Sequence, residues 1–242
     1  MAIYREQGII LRTYKLGESD RIVNLLGQSR GKVRAVAKGV RKPGSRFGGR
    51  LEPFSHVELQ LYEGRNLDTI TQAELITSFA AVRSDYELSA SGSAMVEAAD
   101  RVAQEDERSH PLFLLLLEGL RALSWAPEHP ASVLDGFLLR LASVTGWHPV
   151  LDACVLCATP GAHPVFSIAN GGTVCERCAP RDAQRLNPVI LDTLRQLSVQ
   201  SLDSLGALAT DGRAGRAAGA LISSFLTYHL GQPLRAAELV PR

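Results

Sequence analysis

The chain has 242 residues, 45% of them hydrophobic and 21% charged, which supplies a sizeable core and argues against global disorder. Its net charge of +1 is unevenly placed: residues 1–80 hold 13 Lys/Arg against 8 Asp/Glu, and residues 81–242 hold 13 against 17. The amino end shows no apolar segment of signal-peptide length, and the most apolar stretch, 111–117, falls well short of the ~20 residues that span a bilayer, so a cytoplasmic location, no membrane partner and reduced thiols are expected.

In residues 1–80, apolar runs of strand length recur between turn signals. They lie at 8–14, 21–26, 32–38, 53–62 and 67–76. In the fourth, Val57, Leu59 and Leu61 alternate with His56, Glu58, Gln60 and Tyr62, the pattern of a half-buried strand. Five antiparallel strands in about eighty residues fit a small Greek-key barrel of the oligonucleotide-binding (OB) kind. Other small barrels, SH3-like ones included, read similarly.

Residues 30–50 carry eight basic side chains and no acidic one: Arg30, Lys32, Arg34, Lys38, Arg41, Lys42, Arg46 and Arg50. On a strand, Lys32, Arg34 and Lys38 share one face while Val33, Ala35 and Ala37 take the other. The rest of the run, through Lys42-Pro-Gly-Ser-Arg-Phe-Gly-Gly, has the composition of a flexible loop. A charged strand face continued by a mobile basic loop suits phosphates, and these eight residues are the expected nucleic-acid contacts. The plainer reading is a solvated hairpin. Tyr4, Tyr14, Phe47, Phe54 and Tyr62 lie near the basic positions, where exposed aromatics stack on bases. Phe54 is expected in the barrel core and Phe47 in solvent.

From residue 81 the pattern becomes helical. Ser84-x-x-Glu87 reads as a capping box, with Leu88, Met95, Val96, Ala99 and Val102 following. The acidic patch Glu105-Asp106-Glu107 reads as a solvated loop. Ser109 and Pro111 open a second helix, whose run 112–117 is apolar all round and expected at the centre of the core. A third runs from about Pro130 to Thr145 and stops at Gly146. Trp125 and Trp147, at helix ends, are expected to pack into the core.

Cys154-x2-Cys157 and Cys175-x2-Cys178 form a C-x2-C-x17-C-x2-C array. Each knuckle offers two thiolates to a tetrahedral zinc. Between them, Val165-Phe-Ser-Ile168, Asn170-Gly171 and Gly172-Thr-Val174 read as a hairpin with a primed turn. One structural zinc in a four-cysteine ribbon is therefore expected, with disulfides the lesser reading. Such a closed shell leaves no position for catalytic water. In the tail, Asn187-Pro188 caps a helix carrying Val189, Leu191, Leu194 and Leu197. A last helix from about Asp211 to Leu230 carries Leu221, Ile222, Phe225 and Leu226 and stops at Gly231.

The sequence therefore predicts an α+β chain: a five-stranded OB-like barrel at 1–80, an all-α part at 81–150 and 181–242, and a zinc ribbon at 151–180 inserted into it. No Walker A motif and no G-x-S-x-G elbow is present. His56-x-Glu58 with Cys175-x2-Cys178 resembles parts of the nucleobase-deaminase signature, but Val174 replaces its proline and Cys154 and Cys157 would be unexplained. No enzyme is expected. The competing classes are a DNA-binding mediator, an RNA-binding protein of translation or ribosome assembly, and a zinc-dependent nucleic-acid enzyme.

Three stretches carry a family resemblance: GIILRTYKLGESDR at 8–21, GKVRAVAKG at 31–39 with Arg41-Lys42 after it, and LEPF at 51–54. With the basic barrel, helical part and four-cysteine ribbon, the chain resembles the RecO family of bacterial recombination mediators over nearly its whole length. The resemblance implies binding of single- and double-stranded DNA and annealing of complementary strands. It also implies partnership with RecR, engagement of single-stranded DNA-binding protein (in some members through that protein's acidic, Phe-ended tail) and assistance in loading RecA. Some family members lack the cysteines, so zinc does not define the activity.

Overall fold

Five strands close into a barrel: β1 Ile3–Leu16, β2 Asp20–Gly27, β3 Gly31–Ala37, β4 His56–Tyr62 and β5 Asp68–Thr77. The structure is a computed structural model describing residues 2–105, 107–209 and 212–241. Strand order around the barrel is β1-β2-β3-β5-β4, closed by a short parallel contact between β3 and β5. Alternation dictates what lies inside. Val33, Ala35 and Ala37 of β3 and Val57, Leu59 and Leu61 of β4 all point into the barrel core, as a period of two requires. β1 is long because it serves two neighbours, β2 and β4. A register shift between Ile10 and Arg12 marks a bulge that bends it.

Alternation turns Leu11 outward beside Ile9, and the bulge keeps Arg12, opposite Asn24, on the outer side as well. Ile9, Leu11 and Leu26 of β2 belong to the helical core, not the barrel core. The helical body therefore sits on one part of the outer barrel wall. It comprises α1 Ala80–Ser84, α2 Tyr86–Val102, α3 His110–Ser124, α4 Pro130–Val144, α5 Pro188–Val199, α6 Leu202–Leu205 and α7 Gly212–Leu230. A 3-10 turn at Ala236–Leu239 ends the described chain. Buried Glu97 fixes that end to α2: it accepts the Ala236 N–H at 2.7 Å and pairs with Arg101, which donates to the Gln232 carbonyl at 2.9 Å.

Several details depart from the sequence reading. Asp85, not Ser84, caps α2: its carboxylate accepts the Leu88 N–H at 3.0 Å, while Ser84 ends the short helix before it. Leu114 faces solvent within the otherwise buried run of α3. Trp125, just past the last turn of α3, is 63% exposed. Trp147 does pack against the helical core, its ring stacked on His229 at 5.0 Å. The start expected for the last helix, Asp211, lies outside the described residues, as does Asp106.

Between α4 and α5 the expected hairpin forms, but it turns through the four residues 168–171 rather than through a primed Asn170-Gly171 pair. β6 Val165–Ser167 pairs with β7 Gly172–Val174, and Gly171 takes a φ of 80° that favours glycine. A two-residue third strand, β8 Gln184–Arg185, joins the other edge of β6. Phe166 anchors the ribbon on the helical body, edge-on to Phe225 of α7 at 6.2 Å.

Candidate nucleic-acid interface and metal centre

Parity places Lys32, Arg34, Val36 and then Lys38 on the outer side of β3. The eight basic residues nevertheless divide into two groups. β3 has seven residues, so its ends stand roughly 20 Å apart. At its start, Arg30 lies over the Tyr4 ring at 4.0 Å. Lys32 is only 21% exposed at its side chain and sits in the joint with the helical body, 2.8 Å from the Asp100 carboxylate. It also donates to the Asp100 carbonyl at 2.5 Å. Arg12 approaches Asp100 at 3.8 Å. The chain after α2 bridges to Gly31 and Lys32 through Glu105, and Glu105 approaches Arg34 at 4.0 Å. The acidic patch is thus partly a strut against β3, and Asp100 is a partner that the sequence does not flag.

At the far end the charges meet no carboxylate, although the Arg41 guanidinium donates to the Gly17 carbonyl at 3.3 Å and that of Arg50 to the Arg46 carbonyl at 2.8 Å. Lys38, Arg41, Lys42, Arg46 and Arg50 are exposed, and among the described residues no carboxylate oxygen lies within 4.0 Å of any of them. Their loop consists of successive turns, Lys42 to Gly39, Ser45 to Lys42, Gly48 to Ser45 and Arg50 to Phe47. It is tied down rather than adrift. Phe47, expected in solvent, is 1% exposed and plugs the barrel with Leu51. Arg46 lies over that ring at 4.9 Å. Phe54, with a φ of 70°, turns away from the barrel core into the helical one.

The β1–β2 turn holds the same loop. Asp20 accepts the Gly39 N–H at 2.8 Å, and Ser19 accepts the Arg41 N–H at 2.9 Å. The Gly39 bond, the Ser19 hydroxyl and the nearby Lys38 and Lys42 hold the Asp20 carboxyl below its ordinary range. Anchoring spaces the five cations at one barrel end without neutralising them. That suits a polyanion whose charges repeat along a chain.

The four cysteines converge. Their Sγ atoms all lie within 4.8 Å of one another, and all four are free thiols. Cys154 is buried beneath the ribbon with Val165 and Val174, whereas Cys157 reaches the surface. Bonds from the N–H groups of Cys175, Cys157 and Leu156 draw the Cys154 thiol down to about 6. Cys178, hydrogen-bonded to the Cys175 and Cys157 thiols, is pushed up to about 12. Four thiolates so close cannot all ionise without a cation. A tetrahedral metal with bonds of about 2.3 Å sets its sulfurs about 3.8 Å apart. Cys157 and Cys175 are 3.8 Å apart, so the donor set fits a metal ion.

Comparison with known proteins gives a single answer along the chain. Residues 1–79 match the family model described as recombination protein O N terminal, and residues 83–238 match recombination protein O C terminal. The chain is 43% identical over 244 residues to the DNA repair protein RecO of Frankia casuarinae, with all of both chains covered. It is 45% identical over 245 residues to the DNA repair protein RecO of a Nocardioides species, covering 99% of this chain and all of that one.

Proposed function

The chain belongs to the RecO family of DNA repair and recombination proteins, and from that premise we propose that it is a non-enzymatic mediator of homologous recombination. It binds single- and double-stranded DNA, anneals complementary strands and, with RecR, helps load RecA onto strands coated by single-stranded DNA-binding protein. The observation that carries the reading is the cluster of cations at one barrel end, Lys38, Arg41, Lys42, Arg46 and Arg50, with Arg34 beside them on the strand. Annealing requires a surface that neutralises two phosphate chains and leaves the bases unread, and these residues offer charge without a base-reading element in a groove. Lys32 contributes less, because Asp100 already engages it, and Arg30 stands over Tyr4 at the other end of β3. The metal is one structural zinc held by Cys154, Cys157, Cys175 and Cys178. It supplies a crosslink and no chemistry.

Replacing Lys38, Arg41 and Lys42 together by alanine tests the surface. Affinity falls for every sequence, and the log–log salt slope flattens by about 0.9 per lost contact on duplex and about 0.7 on single strands. A slope equal to the parent's removes the barrel end from the account. Competition with matched RNA is included in the same assay, and a large preference for RNA overturns the DNA assignment. Annealing of complementary oligonucleotides coated with their binding protein, with and without this chain, tests the mediator role.

A further inference from the structure

We propose that Tyr14 is the platform on which this protein stacks an unpaired base, which makes it the residue that separates single strands from duplex. The inference rests on the DNA-binding reading above and adds to it a contact that the basic run does not contain.

The register of the sheet carries the argument. Tyr14 of β1 pairs with Ile22 of β2, and Ile22 pairs with Val36 of β3. Directly paired residues point to one side of a sheet. The neighbouring row, Thr13, Val23 and Ala35, is the inward one, since Val23 and Ala35 are fully buried in the barrel core. Tyr14, Ile22 and Val36 therefore form one apolar row on the outer wall. Tyr14 is 48% exposed, and none of the three is packed against either main core.

Cations flank that row. On one side the next outward row is Arg12, Asn24 and Arg34, of which Arg12 leans toward Asp100 at 3.8 Å and Arg34, 46% exposed at its side chain, stands 4.0 Å from Glu105. On the other the next outward row runs from Leu16 through Asp20, whose carboxylate is engaged by the Gly39 N–H, to Lys38, followed by the anchored loop with Arg41 and Lys42. The helical body covers the sheet only lower down, where Leu26 is buried and Lys32 is held by Asp100. A ring and two aliphatic side chains between two sets of positive charges match a nucleotide strand: bases lie on the apolar row and phosphates on either side. The other aromatics near the run are disqualified by place. Phe47 is buried, Tyr4 lies under Arg30 with its hydroxyl bonded to Asp68, and Tyr62 stands two strands from Val36, across Thr69 of β5, where Glu63 and not the basic loop follows it. Duplex bases are already stacked and paired, so the row offers them nothing, while the cations serve both forms.

The test compares the parent chain with Tyr14→Leu and Tyr14→Phe by fluorescence anisotropy. Three probes are used: an oligothymidylate, the same oligomer with abasic sites, and a duplex of equal length. Tyr14→Leu is expected to weaken oligothymidylate binding about tenfold and to leave duplex binding within about twofold, while Tyr14→Phe restores single-strand affinity. The abasic oligomer is expected to bind the parent and Tyr14→Leu alike. Unchanged oligothymidylate affinity in Tyr14→Leu, or an equal loss on all three probes with the fold intact by circular dichroism, overturns the platform and leaves the charged surface standing. A parent chain that binds none of the probes overturns the DNA reading and the platform with it.

Discussion

His56 is 7% exposed where β4 meets α3, with its ring edge-on to Phe113 at 5.7 Å. Burial, assisted by the nearby Arg121, lowers its pKa below the ordinary 6.5. The folded ring therefore binds its proton less tightly than the unfolded one. Its neutral form costs nothing above pH 6.5, and stability declines as pH falls from there through the folded value. His229, also lowered by burial, acts in the same direction. Urea unfolding at pH 7.5, 6.5 and 5.5 should show that decline, with a shallower slope in His56→Gln. Parallel slopes would assign the effect to other groups. At this scale the sequence was legible for parity and opaque for partners. The alternation of β3 tells which side Arg34 and Lys38 take. Nothing local says that Lys32 meets Asp100, 68 positions away. Phe47 misleads for a related reason: between Arg46 and two glycines its composition reads as loop, yet the turn drops its ring into the barrel.

Elements whose signals were strong formed as read. The five strands follow from alternation, a local rule; the β6–β7 hairpin forms where it was read, but through a four-residue loop at 168–171 in which only Gly171 takes a positive φ, not through a two-residue primed turn. The missed elements, α1, β8, α6 and the 3-10 turn, span five, two, four and four residues, too short to carry a period. The ribbon is the element whose stability depends most on something besides its own packing, since only Cys154, Val165 and Val174 form its buried core. A zinc crosslink is expected to hold it and, through Phe166, its seat on Phe225. Cys154→Ser with Cys175→Ser should reduce bound zinc from one per chain to none by elemental analysis. Unseating one Phe costs about 1.5–3 kcal/mol. At roughly 2–4 °C per kcal/mol for a chain of this size, the melting midpoint should fall by about 3–12 °C. A parent chain purified without zinc, or an unchanged midpoint in the variant, would refute the crosslink.

At the scale of the whole molecule, one stretch of like charge does two jobs because the helical body is seated against one end of β3. The joint buries Ile9, Leu11 and Leu26 and sets Asp100 between Arg12 and Lys32. Charges near the joint therefore hold the halves together, and charges beyond it face solvent. This separates two lysines of the same parity. Lys32→Ala leaves Asp100, 16% exposed, short of its nearer cation. The pair is neither fully exposed nor fully buried, so its loss should cost about 1–3 kcal/mol, between the ranges for those two cases. Its DNA salt slope should stay near the parent's. Lys38→Ala, which breaks no ion pair among the described residues, should leave stability within about 0.5 kcal/mol and flatten the slope by about 0.9 on duplex. Urea midpoints and salt titrations of the two variants, measured side by side, check the division. If Lys32→Ala flattens the slope as much as Lys38→Ala does, DNA displaces Asp100 and the joint opens on binding, and the body cannot then be a fixed seat.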